Sequence, residues 1–246
     1  VRFSVEFETD KTPLHSNMQD VSIVKEAIKE SNTELFNEMF LNKNHKDSRN
    51  KKHYCCARYV TNYEIKEDLI NIKEGGKVIL NFSSPDLEFM TDLYNGLMDK
   101  VIFNYKGFIL KKKKIIMIKE KSIKGRRAVF KTLSPIAIRT KEGRFIDIED
   151  SNYEEEMNYI INKILENYRG YGAKEYIRFK PINMKKKVIK EEIEDFKRIT
   201  QKRFLYVNSY IGTFELSGDT EDLNLIYKLG VGHRRCQSFG MVDVIG

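Results

Sequence analysis

The sequence predicts an α+β protein made of two tandem ferredoxin-like (RRM-like) domains, each in the order β-α-β-β-α-β. Three observations lead there. Strand-like runs and helix-period runs follow one another in that order twice along the chain. With 246 residues, 41% of them hydrophobic, the chain has enough apolar material for two small cores. No apolar run is long enough to span a bilayer. The expected domains are 1–122 and 123–246.

In the first half, Arg2–Glu8 alternates as a strand does. Residues Val21, Val24, Ala27, Ile28, Leu35, Met39 and Phe40 follow a partly helical period, with a break expected at Ser31-Asn32-Thr33. Tyr54–Ile65 and Lys77–Phe82 read as strands. Ser84-Pro85 reads as a helix start, Ser84 as N-cap and Pro85 in the first helical position. Val101–Tyr105 and Phe108–Ile118 are expected as strands meeting at Lys106-Gly107. In the second half, Leu133–Arg139 is expected as a strand and Ser151–Tyr168 as an amphipathic helix. Strands follow at Glu175–Pro181, Lys187–Ile189 and Arg203–Leu216. A helix capped by Asp219 or Thr220 runs to Leu229, with Gly230 just past its end, and a strand over 238–245 closes the unit.

The formal net charge of +8 favours a polyanionic partner or an acidic surface. Cytosol is the expected location, since Val1–Phe7 alternates like a strand and lacks the apolar core of a signal peptide. Cys55 and Cys56 are neighbours in a strand-like run and Cys236 lies in a loop, so no disulfide framework is implied. No zinc-ligand spacing occurs, and no cofactor is expected.

Two basic segments stand out. Lys111–Lys131 bridges the halves with a single acid, Glu120. Lys111, Lys113, Lys124, Arg126 and Arg127 are its candidate phosphate contacts, against a reading as a solvated strand edge. Strand alternation would put Lys111 and Lys113 on one face and Lys112 and Lys114 on the other. Lys185–Lys187 reads as ordinary surface. Near the C-terminal end, Gly230, Gly232 and Gly240 frame His233, Arg234 and Arg235. Glycine exposes its backbone N–H groups and guanidinium forks match phosphate, so the loop suits a phosphate backbone; the glycines alone fit a helix cap and a tight turn equally well. It is not a dinucleotide fingerprint, because helix precedes loop and strand follows it, and no Gly-Lys-Ser/Thr is present.

This loop resembles the glycine-rich loop of the repeat-associated RNA-binding (RAMP) superfamily of CRISPR systems. Phe130-Lys-Thr-Leu-Ser-Pro-Ile-Ala-Ile138 and Gly212-Thr-Phe-Glu-Leu-Ser-Gly218 resemble segments of its endoribonucleases that mature precursor crRNA. The likeness covers the C-terminal half well and the N-terminal half more loosely. It implies tandem ferredoxin-like domains and cleavage of CRISPR repeat RNA in antiviral defence. It also implies a general base just after the first helix, which is His45 or His53 here. His45 is favoured, in the polar run Asn42–Asn50. Lys52, ahead of an aromatic strand-like run, matches a lysine that would stabilise charge on the phosphate. Many relatives carry a tyrosine in the first helix. This chain has Phe36 and Phe40 there, Tyr54 is the nearest tyrosine on another element, and the acid stays unassigned.

The chemistry expected is metal-free attack by a 2′-hydroxyl, leaving a 2′,3′-cyclic phosphate and a 5′-hydroxyl. Histidine suits the base because its unperturbed pKa of roughly 6.5 lies near neutral pH. The partner is precursor crRNA; effector-complex subunits and a second copy of the chain stay open, and no membrane is expected. The alternatives are a non-catalytic crRNA-binding subunit and a scaffold that binds proteins only.

Overall fold

The computed structural model describes residues 1–41 and 52–246. His45 lies outside the described residues. The chain divides into two compact units. The first comprises Val1–Lys52, Arg58–Ile118 and Glu191–Leu205; the second comprises His53–Ala57, Lys119–Lys190 and Tyr206–Gly246. Among the described residues, no helix is long and apolar enough to cross a membrane.

The first unit opens with β1 (Arg2–Glu8) and a short β2 (Lys11–Pro13). Helix α1 (Asn17–Ser31) ends where expected, because the Asn32 side chain accepts the Leu35 N–H and starts α2 (Thr33–Phe36). A wider π-type turn, Asn37–Leu41, follows. Next come β3 (Cys55–Lys66), β4 (Leu69–Ser83), α3 (Leu87–Asp99), β5 (Ile102–Tyr105) and β6 (Phe108–Met117). The strand order is β2-β4-β1-β6-β5, with β3 beside β4. Both neighbours of β1 run antiparallel to it. Phe3, Val5 and Phe7 of β1 are fully buried, with Val24 and Ile28 of α1 and Leu93 and Leu97 of α3. Gly96 lets the two helices close, since a Cβ there would sit 1.8 Å from the Ala27 carbonyl oxygen. The α3 N-cap is Asp86, whose carboxylate accepts the Phe89 N–H; Ser84, the expected cap, accepts the Asp86 N–H one step earlier.

The second unit runs β7 (Arg127–Thr132), α4 (Tyr153–Arg169), β8 (Arg178–Glu191), β9 (Leu205–Ser217), α6 (Thr220–Leu229) and β10 (Val242–Val244). Between β8 and β9 the chain contributes a short helix, α5 (Glu194–Thr200), to the first unit. The sheet order is β10-β7-β9-β8. Phe130 and Phe214 stack 5.7 Å apart at the centre of the core. Met157, Ile161 and Leu165 of α4 and Leu223, Ile226 and Leu229 of α6 close over them. Asp219 is the α6 N-cap, accepting the Glu221 and Asp222 N–H groups. A buried pair, Arg169 with Asp222, ties α4 to α6. Both units therefore have the β-α-β-β-α-β order of a ferredoxin-like domain, with β2 and β5 added to the first.

Three element expectations need correction. The strand expected over Leu133–Arg139 lies one segment earlier, at Arg127–Thr132. Beyond Thr132 the chain leaves the ladder and keeps the isolated bridges Ile136–Tyr210 and Arg139–Phe145. The strands expected over Glu175–Pro181 and Lys187–Ile189 merge into one long strand, β8, which starts only at Arg178 and whose edge position tolerates Pro181. The last strand is only Val242–Val244, because 238–241 belongs to the glycine-rich loop.

Candidate nucleic-acid interface

The segments that look specific in the sequence meet inside the second unit. Gly230 ends α6 through its N–H to the Ile226 carbonyl. The loop after it is laced onto residues 135–139. Gly240 N donates to Pro135 O at 2.7 Å, and His233 N to Ala137 O at 2.9 Å. His233 Nε2 lies 3.1 Å from Arg139 O. A carbonyl can only accept, so this ring nitrogen carries the proton. Val231 N donates to Gly240 O and closes the loop on itself. Ile136 and Tyr210 exchange both backbone hydrogen bonds, bringing in the strand that leads to Gly212.

Close backbone approach explains two of the glycines. A Cβ on Gly240 would lie 1.9 Å from Val231 O, and one on Gly232 would lie 2.6 Å from Ala137 O. Both have positive φ, +67° and +85°. The arginines turn toward the protein. Arg235 Nη1 donates to Leu229 O, capping the end of α6. Arg234 Nη1 donates to Gln237 Oε1. His233, Arg234 and Arg235 are all half-buried. Burial holds the His233 pKa below the ordinary histidine value, with the nearby Arg139, Arg234 and Arg235 charges acting in the same direction.

The same loop grips residues 54–56, which follow Lys52 and His53. Cys236 Sγ donates to Tyr54 O at 3.2 Å. Cys56 Sγ accepts the Ser238 N–H at 3.3 Å, and Cys55 Sγ donates to Lys228 O. Ser134 Oγ donates to Cys56 O. His53 is half-buried and meets the Tyr168 ring edge-on at 5.4 Å. Lys52 Nζ lies 4.8 Å from the centroid of the Phe40 ring. Tyr54 is 1% exposed, so its ring is part of the core. From the sequence Ser134 is only a member of a motif, since a serine ahead of proline carries no signal of its own. All three cysteines turn out to serve this junction as hydrogen-bonding thiols.

The basic segment divides between the units: residues up to Ile118 belong to the first and residues from Lys119 to the second. Its expected alternation fails at a β-bulge. Glu8 pairs with Lys111 and Phe7 with Lys112, but Glu6 pairs with Lys114, leaving Lys113 as the extra residue. Lys112 shares the buried Phe7 face, and its ammonium donates to the Leu97 and Met98 carbonyls at the end of α3. Desolvation lowers its pKa. Lys113 pairs with Glu8 and Lys114 with Glu6, so both reach the face that Lys112 avoids. Arg126 pairs with Glu175. Lys111, Lys124 and Arg127 are exposed and form no ion pair among the described residues. Also among the described residues, no three His, Cys, Asp or Glu side chains gather as metal ligands.

The profile of the family described as "CRISPR associated protein Cas6, C-terminal" matches residues 118–244, more than half of the chain. No curated protein matches the sequence. Among solved structures, a RAMP protein described as binding different RNA substrates superposes with TM-score 0.80 at 19% identity. It covers 100% of this chain and 99% of its own. A Cas6-related protein from Pyrococcus furiosus gives TM-score 0.80 at 18% identity, covering 99% of this chain and 98% of its own. A further CRISPR-associated Cas6 structure gives 0.72 at 20% identity, covering 100% of this chain and 99% of its own. At these identities the structures speak to the fold, tandem ferredoxin-like, while the profile over the half that holds the glycine-rich loop speaks to descent: the chain belongs to the Cas6 family of CRISPR-associated proteins.

Proposed function

We propose that the chain is a metal-independent endoribonuclease that cuts CRISPR repeat RNA to mature crRNA. The observation that carries the reading is the junction in the second unit. The glycine-rich loop and the Phe130–Ile138 motif, both within the family-matched residues, form one hydrogen-bonded assembly with residues 54–56. His53, half-buried against Tyr168, immediately precedes residues 54–56. In this reading a histidine takes the proton of the 2′-hydroxyl, and the freed oxygen attacks the adjacent phosphorus. The bond to the 5′-oxygen breaks, and that oxygen leaves with a proton taken from a general acid or from water. His45 is the proposed base, with His53 second. Lys52 balances charge on the phosphate. Lys111, Lys124 and Arg127, with the half-buried His233, are the proposed backbone contacts.

One observation favours a second reading, a subunit that holds crRNA without cutting it. The first helical segment offers Phe36 and Phe40 rather than tyrosine, and Tyr54 is buried. Single-turnover kinetics separate the two. His45→Ala is expected to slow cleavage by about 10²- to 10⁴-fold, the range for losing a general base, with repeat-RNA affinity little changed. His53→Ala is the paired variant: if it does the greater damage, the base is His53. If the unaltered chain binds repeat RNA and leaves it intact, the holding role replaces cleavage.

A further inference from the structure

We propose that Ser134 is a positioning residue that fixes the backbone beside His53; its link to cleavage rests on the reading above. The Ser134 side chain is buried, at 4% exposure, and its hydroxyl uses both capacities. It donates to Cys56 O at 3.1 Å and accepts the Met241 N–H at 2.9 Å. Leu133 N and Ser134 N both donate to Met241 O, so the Met241 backbone is held at N–H and C=O by adjacent residues of one motif. Packing supports the same link, since the Met241 side chain forms a small buried cluster with Cys55 and Ala57. One hydroxyl thus joins the motif, the end of the glycine-rich loop and the stretch that follows His53.

The consequence is geometric. A buried carbonyl seeks a donor, and the Cys56 carbonyl has this one. Without the hydroxyl, Cys56 O and Met241 N each lose a partner in a site closed to solvent. The stretch Tyr54–Ala57 is then freer to shift, and His53 just ahead of it shifts with it. Where His53, the second assignment above, is the base, a small displacement of the group that must meet the proton costs rate more than affinity. A threonine keeps the hydroxyl, while an alanine removes it.

The test compares Ser134→Ala and Ser134→Thr with the unaltered full chain in two measurements. Hydrogen exchange read by mass spectrometry follows the backbone over 52–57, with β1 and α4 as references. Single-turnover cleavage and equilibrium binding of repeat RNA follow function. Ser134→Ala is expected to speed exchange over 54–57 while β1 and α4 stay protected. With His53 as the base it is expected to lower the cleavage rate by about tenfold to a hundredfold and leave affinity within about twofold; with His45 as the base the rate holds and the exchange result alone decides. Ser134→Thr should restore both. Unchanged exchange over 54–57 in the alanine variant overturns the proposal. So does a parallel loss of rate, affinity and protection throughout the chain, which marks a merely structural role. A chain that cuts no RNA but loosens over 54–57 in Ser134→Ala keeps the positioning role and removes the cleavage reading.

Discussion

Gly232 and His233 are adjacent and constrained in different ways. At Gly232 the constraint is steric: φ is +85°, and an added Cβ would press on the Ala137 carbonyl. Gly232→Ala is therefore expected to lower unfolding free energy by about 1–3 kcal/mol, the usual scale for a non-glycine residue held in that region. Urea melts of the two proteins check it. Unchanged stability would mean that the loop relaxes away from residue 137. At His233 the constraint is electrostatic. Its pKa is depressed, so the folded chain favours the neutral ring while the unfolded chain protonates it near the ordinary value. The unfolded state then binds more protons, and stability falls as pH drops below about 6.5 toward the folded-state value. His233→Gln removes the titrating group. The stability gap between the two proteins is expected to shift in favour of the variant from pH 7.5 to pH 5, measured by urea titration at each pH. A gap that does not move with pH would remove the argument.

At the scale of elements, the long helices were legible, while the short α5 and some strand limits were not. Asn32, Asp219 and Gly230 mark helix ends because each does local work that depends on residue type: two cap N-termini and one ends α6. Strand β7 was misplaced because strand-forming residues continue through Ile138, and alternation cannot say where ladder partners stop. The bulge at Lys113 was invisible for a related reason, since a run of identical lysines offers no contrast between faces. The interface divides the same way. The glycine-rich loop and the Ser-Pro motif stood out singly. Their junction with residues 54–56 is built from long-range bonds that no local pattern encodes. The bulge changes the expectation for β6. Lys112 caps α3, and Lys113 and Lys114 already face carboxylates. Lys111→Ala, Lys124→Ala and Arg127→Ala should each reduce the salt slope of repeat-RNA binding by about one. Lys113→Ala should change it less, because part of its charge is already balanced by Glu8. Titrations at several salt concentrations decide this, and equal, negligible effects throughout would make the strip a solvated edge.

For the whole molecule, charge and descent point the same way. A chain of net charge +8 belongs to a family of CRISPR-associated proteins, and its two units share the ferredoxin-like order. Charge supplies binding to any RNA of similar shape; cutting requires a base placed against one 2′-hydroxyl. The most direct measurement is single-turnover incubation of the full chain with end-labelled repeat RNA in excess EDTA, with the product ends identified by mass spectrometry. A matched RNA carries a single 2′-deoxy nucleotide 5′ of the cut. Expected are cutting in EDTA at one site, a 2′,3′-cyclic phosphate and a 5′-hydroxyl, and an intact but still bound deoxy RNA. Cutting that needs a divalent ion, that leaves a 5′-phosphate, or that proceeds at full rate on the deoxy RNA would contradict the proposed cleavage.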